Sequence, residues 1–335
     1  MSHCIIPKGY KSTLTTYQTQ SAIGRLKRVF EDNLSMSLNL HRVSAPLFVE
    51  PQTGLNDNLS GVERPVEFDV PETGNTAQIV HSLAKWKRMA LHKYGFSAGH
   101  GLYTDMNAIR RDEIMDNTHS IYVDQWDWEV IITREQRCEK FLKRTVQRIA
   151  EAIYAASERL RWDYPELPVS LTRDVTFITA QELEDMYPAL TPEEREDIFT
   201  KEHKTVFVIG VGGKLRSGEV HGSRAPDYDD WTLNGDILYW HNLLGRALEL
   251  SSMGIRVDEA TLDAQLTEAN CDYRRSLDFH KALLSGELPL TMGGGIGQSR
   301  LCMLLMAKAH IGEVQVSVWD DETLKTCGAA GVKLL

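Results

Sequence analysis

The chain is poor in the features that usually classify a protein at a glance. Its five cysteines (Cys4, Cys138, Cys271, Cys302, Cys327) are odd in number, scattered over 335 residues, and form no C-x-x-C pair. That spacing suggests neither a disulfide framework nor a zinc site, and a reducing compartment fits best. No apolar run approaches the roughly 20 residues of a membrane span. The opening MSHCIIPKGYKST has no apolar core of signal-peptide length. A cytoplasmic protein without a membrane partner is therefore expected. Positive charge is not in excess either. The net charge of −10 speaks against a broad nucleic-acid footprint. No repeat and no polar, proline-rich break divides the chain, so one domain spanning 1–335 is expected despite its length.

What is present reads as mixed helices and strands. Residues 16–38 carry Ile23, Leu26, Phe30 and Leu34 at helical spacing. LHRVSAPLFV (40–49) reads as a strand interrupted by Pro46, suited to an edge or an interface. Further helices are expected over 83–94, 135–161 and 258–284. Strands are expected over 121–132, 205–213, 233–240 and 246–257, and LPLTM leads as a strand into a glycine loop. Several strands are adjacent in sequence. The fold class is therefore α+β, a mostly antiparallel sheet flanked by helices rather than a doubly wound parallel one.

The glycine loop is GGGIGQSRL, residues 293–301. It fits neither the dinucleotide fingerprint, whose sixth position here is Gln298, nor a Walker loop, because no Lys follows Gly297. Glycine backbone can lie close to a flat or charged ligand. Ser299 can cap a helix running from Arg300 to Ala309, making an anion site with Arg300. A tight turn with a surface arginine is the equal alternative.

Other constellations stay similarly open. In YVDQWDWE, strand alternation puts Val123, Gln125, Asp127 and Glu129 on one face and Tyr122, Asp124, Trp126 and Trp128 on the other. The first row faces water or lines a polar cavity. Asp236 and Glu249 sit on neighbouring strands. Two facing carboxylates repel unless a cation lies between them, and Mg²⁺ uses one or two carboxylates with substrate phosphates. A solvated pair is the plain alternative. RAPDYDDW (224–231) is an acidic surface loop or a lid. Lys85, Lys87 and Arg88 on one helix are by default a solvated face. Asp57, in LNDNLSG, has no strong argument from its surroundings.

In this order, DNLSG, HSLAKWKR, GLYT, YVDQWDWE, RAPDYDDW, LNGDI, ELSSMGIRV and GGGIGQSRL resemble the ammonia-dependent aspartate–ammonia ligases over residues 15–320 or so. That family is similar in fold to the catalytic domains of class II aminoacyl-tRNA synthetases. The resemblance implies a homodimer with the helix and strand of 16–49 at its interface. It implies ATP as co-substrate, with Arg110 on the α-phosphate and a glycine strand followed by an arginine-led helix, Gly293, Gly294, Gly295, Gly297 and Arg300, around the rest of the nucleotide. Mg²⁺ would be held by Asp236 and Glu249. Aspartate would be bound by Lys87, Gln125 and Asp127, with Ser82, Ser251 and Arg256 as further candidates. Asp57 would receive ammonium and take its proton. The implied reaction joins aspartate and ammonia through β-aspartyl-AMP, releasing AMP and pyrophosphate. Residues 1–12 are unmatched and are expected to form a poorly ordered extension. The segment between DYDDW and LNGD is short for the family, and His100 stands where an acid is expected.

Three rivals share parts of this pattern. An aminoacyl-tRNA synthetase would need a tRNA-binding appendage and a basic surface. Glutamine-dependent amide synthesis usually employs a glutaminase domain with an N-terminal cysteine, and residue 2 is Ser; glutamine as an additional nitrogen donor stays open. A non-catalytic relative would be expected to lose chemically suitable residues, and the matched positions keep them.

Overall fold

The glycine run is a strand, as the family resemblance implies, and not the loop its letters alone suggest. In the computed structural model, which describes residues 4–335, it forms the middle of an eight-stranded sheet. The strands, numbered along the chain, are β1 (Leu40–Arg42), β2 (Phe48–Val49), β3 (Glu67–Val70), β4 (Asn75–Ile79), β5 (Gly101–Ile109), β6 (Tyr122–Ile131), β7 (Thr176–Thr179), β8 (Thr205–Ile209), β9 (Asp229–His241), β10 (Arg246–Arg256) and β11 (Thr291–Gly297). The helices are α1 (Thr16–Leu38), α2 (Ala84–Lys93), α3 (Glu139–Asp163), α4 (Ala180–Met186), α5 (Pro192–His203), α6 (Glu259–Glu268), α7 (Asp278–Leu284), α8 (Gln298–Leu305) and α9 (Asp321–Ala329). The main sheet runs β1-β5-β6-β11-β10-β9-β8-β7, and β2-β4-β3 form a small second sheet. Only the edge pairs β1–β5 and β7–β8 are parallel, so the expected antiparallel α+β architecture is the one observed.

One face of the main sheet is the core. α1 starts in a capping box between Thr15 and Gln18 and buries Ala22, Leu26, Phe30, Leu34 and Leu38, a stripe at every fourth residue. α3 buries Leu142, Val146, Ile149 and Ile153 beside it. Against them stand Trp126, Trp128, Ile237, Met253, Ile255 and Ile296 from the central strands. Phe30 packs on Trp126 with ring centroids 4.6 Å apart, and the indole N–H donates to Glu31 at 2.9 Å. The other face carries the polar residues that build a cavity.

Several sequence expectations change. The single strand over 40–49 is two short strands in two different sheets; Pro46 sits in the break, where it owes no ladder hydrogen bond. The helix over 258–284 is two helices. Asn270 adopts the left-handed conformation (φ 56°) and stops α6, a job its short side chain does at little strain. The strand over 205–213, by contrast, ends in a glycine turn as expected: it stops at Ile209, and Gly210 and Gly212 follow with positive φ. Residues 4–12 are not a loose extension: Cys4 is buried, the Ile5 N–H donates to Asn117 Oδ1 at 2.8 Å, and the Tyr10 hydroxyl donates to the Glu313 carboxylate at 2.9 Å. Residues 1–3 lie outside the described part.

Candidate active site

Sheet register puts the polar residues in rows. Asp236 on β9, Ser252 on β10, Gly295 on β11 and Asp127 on β6 are directly opposed from strand to strand. One step along, Gly297 faces Gln125; one step the other way, Gly293 faces Glu129. The alternation read from YVDQWDWE thus separates Gln125, Asp127 and Glu129 from the core tryptophans. Above the rows lies a cavity of about 510 Å³ lined by Asp57, Ser82, Lys87, Arg110, Gln125, Asp127, Glu249, Ser252, Arg256, Gly294, Gly295, Gly297 and Arg300, among others.

The glycines are there for space. None of Gly293–Gly295 or Gly297 has a positive φ. A Cβ on Gly293 would sit 2.6 Å from Glu129 Oε2, and one on Gly295 would overlap the Gln125 side-chain oxygen. Gly293 therefore underlies the Arg256–Glu129 pair rather than the cavity surface. Past Gly297, α8 begins at Gln298 and ends at Leu305. Ser299 lies in its first turn instead of capping it, and both its N–H (3.1 Å) and its hydroxyl (2.9 Å) bind Asp124. The expected anion site at this helix start is thus already taken by the protein's own carboxylate. Arg300 points elsewhere. Its Nη1 donates to the Glu249 carbonyl at 3.0 Å and lies 3.8 Å from the Glu249 carboxylate.

A bulge brings the two acids together. Leu238 opposes Glu249 and Ile237 opposes Ser251, so Leu250 is an extra residue in β10. Glu249 and Ser252, three apart, would face opposite sides of a regular strand; with the extra residue they share one. Ser252 Oγ then lies 2.7 Å from Asp236 Oδ1 and 2.9 Å from Glu249 Oε1. It has one proton for two carboxylates. Withdrawal from water holds the Asp236 carboxyl above its ordinary range, and the neighbouring Glu249 charge pushes the same way, against the opposition of Arg224. Burial acts to raise Glu249 too, but Arg300 and Arg224 outweigh it and hold it low. Such a pair, one acid pushed up and one down, suits a cation between them.

The cations fall into two kinds. Most are paired. Lys87 is fully buried, in contact with Asp127, and donates to the Gly294 carbonyl at 3.0 Å. Burial depresses its pKa against the pull of Asp127. Arg256 bridges Glu129 (3.0 Å) and Asp229, and Arg224 contacts Asp236. Arg110 is different. It follows β5, its N–H donates to the Ile121 carbonyl at 2.8 Å, and its guanidinium Nε is buried without a hydrogen-bond partner. Among the described residues it makes no ion pair. A guanidinium that makes no ion pair and keeps a buried N–H without a partner is suited to an anion that arrives from outside.

Asp57 is buried on the cavity wall. Its Oδ2 accepts the Ser82 hydroxyl at 2.7 Å and its Oδ1 the Leu59 N–H at 2.9 Å, leaving a lone pair on each oxygen. Ser251 does not join the site. It opposes Ile296 on the core face, and the serine that reaches the cavity is Ser252. Asp236 stands behind the cavity surface, reached through Ser252. The basic helix is not a solvated face: Lys85, Lys87 and Arg88 are all buried. Lys85 meets Asp227 at 3.0 Å, and Arg88 donates to the carbonyls of Val257 and Pro289. RAPDYDDW is neither surface loop nor lid. Asp227 is closed in by Lys85, Arg274 and His280, while Tyr228 and Asp229 line the cavity. His100 is exposed and away from the site. Arg224, Tyr228 and Ser252 were missed from sequence. The Ser251-Ser252 pair was the one available signal, and the bulge decides which member points inward.

This fold is that of class II aminoacyl-tRNA synthetase cores. An asparaginyl-tRNA synthetase from Pyrococcus horikoshii, solved with asparaginyl-adenylate, superposes with a TM-score of 0.66 at 16% identity, covering 89% of this chain and 68% of that one. An aspartyl-tRNA synthetase from Entamoeba histolytica gives 0.60 at 15%, covering 91% and 59%. At that identity the likeness speaks for the fold alone. Sequence carries it further. The family model for aspartate-ammonia ligase matches residues 17–331. Proteins named aspartate–ammonia ligase from Ruminiclostridium cellulolyticum (56% identical) and Clostridium perfringens (58%) align over the full length of both chains. One from Bacillus cytotoxicus is 58% identical over 97% of this chain and 99% of its own. The chain belongs to the aspartate–ammonia ligase family, and is a ligase.

Proposed function

We propose that this enzyme makes L-asparagine from L-aspartate, ammonia and ATP, through a β-aspartyl-AMP intermediate. The unpaired Arg110, sharing one cavity with Arg300 and Glu249, behind which Asp236 stands, carries the reading. A carboxylate is a poor electrophile and must be activated. In the first step the β-carboxylate of aspartate attacks the α-phosphorus of ATP, and pyrophosphate leaves. Two anions have to approach, so positive charge is needed at the α-phosphate. Arg110 supplies it, and Arg300 holds the outer phosphates on the same side. Asp236 and Glu249, with Ser252 between them, fit a Mg²⁺ ion, which when bound would neutralise phosphate charge.

Aspartate lies over the β6–β11 rows. Asp127 and Gln125 take its amino group. Lys87 has a third proton beyond those given to Asp127 and Gly294, and directs it to a substrate carboxylate. Arg256, fixed by Glu129 and Asp229, adds a second positive charge. Ammonium is not nucleophilic. Asp57, braced by Ser82, attracts it and accepts its proton, and the ammonia attacks the acyl carbon to expel AMP. Holding both reactants in one pocket supplies much of the acceleration.

The active form we propose is a cytoplasmic homodimer joined through 16–49. This is supported by apolar side chains left open there: Tyr17 is 83% exposed, Met36 74%, and Leu47 and Phe48 about half.

The test is product analysis with aspartate, ATP, Mg²⁺ and ammonium, without tRNA. AMP and asparagine are expected in equal amounts; ADP as the nucleotide product would refute the adenylate route. Asp57→Asn is expected to keep aspartate-dependent pyrophosphate exchange and lose asparagine formation. Full synthesis by that variant would refute the role given to Asp57.

A further inference from the structure

Away from the cavity, three side chains from distant parts of the chain meet. Cys4 lies on the N-terminal strap, Cys327 on α9, and His310 just before the 3₁₀ turn Ile311–Glu313. The two sulfurs and one imidazole nitrogen all lie within 4.8 Å of one another, and all three residues are buried. The sulfurs are 3.8 Å apart. Tetrahedral zinc with Zn–S bonds of about 2.3 Å sets two thiolates about 3.8 Å apart. His310 supplies a second, independent observation. Its Nδ1 takes the Gly312 N–H at 3.1 Å, while its Nε2 is buried with no hydrogen-bond partner. An orphaned imidazole nitrogen beside two thiols is a ligand set lacking its ion. The carboxylates of Asp116 and Asp320 act on Cys4 and His310 and favour a cation there.

We propose that Cys4, His310 and Cys327 form a structural binding site for zinc or a similarly thiophilic divalent cation, with water at the fourth position. Binding replaces two thiol protons, which leave to solvent, by two metal–sulfur bonds. The imidazole binds through Nε2, so its ring proton moves to Nδ1 and the Gly312 contact is given up. Spacing along the sequence does not suggest such a site, because its members come from both ends of the chain, where no motif can show it. The ion would fasten residues 4–10 and α9 onto the turn at 311–313. Ile311 of that turn, with Gln315 beyond it, lines the catalytic cavity.

The experiment uses the full chain, reduced, purified without chelator, and dialysed against zinc in excess Mg²⁺, which occupies the carboxylate site. One zinc per chain is expected by elemental analysis, with two protons released per ion. Cobalt in its place should give sulfur-to-metal charge-transfer absorption. Cys327→Ser and His310→Gln should each weaken binding by more than the roughly 10- to 100-fold that an outer-shell partner costs. The wild-type measurement stands even if a variant folds poorly. A wild-type chain that retains no zinc overturns the proposal. So does a cobalt–sulfur band of undiminished intensity and affinity in Cys327→Ser, or an intact mass lighter by two hydrogens, which would mean the sulfurs pair with each other instead.

Discussion

Adjacent glycines in β11 should fail in different ways when each is changed to alanine. In Gly294→Ala the new Cβ would lie 2.5 Å from Met253 Cβ, 2.8 Å from the Ser252 carbonyl oxygen and 3.1 Å from Met253 Cα. All three belong to the neighbouring central strand, and backbone there cannot move without breaking the ladder. Overpacking of this kind costs about 2–3 kcal/mol. Unfolding entropy of about 2.1 cal/mol/K per residue gives ~0.7 kcal/mol/K for 335 residues, so Tm should fall by about 3–4 °C. In Gly295→Ala the overlap is with the amide end of Gln125, with Asp127 Oδ1 next at 3.4 Å. That end can swing into the cavity, so the fold should survive and the site should not. We expect Tm within about 1 °C of wild type, and kcat/KM for aspartate down about 10- to 100-fold through displaced substrate-binding groups. Calorimetry and steady-state AMP release on both variants decide it. The reasoning is wrong if Gly295→Ala melts as early as Gly294→Ala, or if it keeps wild-type kcat/KM.

Arg110→Ala should lower kcat by about 100-fold or more with Tm unchanged, because it removes a charge that no protein group depends on; pyrophosphate exchange measures the affected step. Asp236→Asn should raise the Mg²⁺ concentration needed for half-maximal rate and relieve the crowding around Ser252; unchanged Mg²⁺ dependence would separate this pair from the metal. His241 is buried, with Nδ1 accepting the Leu244 N–H and Nε2 unpartnered, and burial lowers its pKa to about 4 from 6.5. Its folded form therefore binds fewer protons than the unfolded chain between those values, and stability falls as pH drops through that window. The loss is about 2 kcal/mol by pH ~5. In urea titrations at neutral pH and near pH 5, His241→Gln should show a smaller acid loss than wild type.

The layers of the fold were legible wherever the pattern was long and periodic. α1, α3 and β6 announce themselves because one face must be apolar, and the alternation in β6 separates Asp127 from Trp126 without any structural help. The β11 glycines misled, since the same letters serve a tight turn and a strand hemmed in on both sides; only Gln125, Glu129 and Met253, remote in sequence, tell the two apart. The three buried cations of α2 were illegible for a related reason. A charged helix face looks solvated until its carbonyl and carboxylate partners, from Asp127 to Val257, are known. Arg110 stood out in the folded chain by what it lacks, and a missing counter-ion has no signature in sequence.

The extra residue at Leu250 makes an irregularity of the strand an inherited requirement. Straighten the bulge at constant length, and alternation would carry Glu249 round to the tryptophan side, stranding Asp236 with a lone hydroxyl. Any lineage keeping this length of β10 can exchange many of its letters, but it cannot iron out the fold in the line.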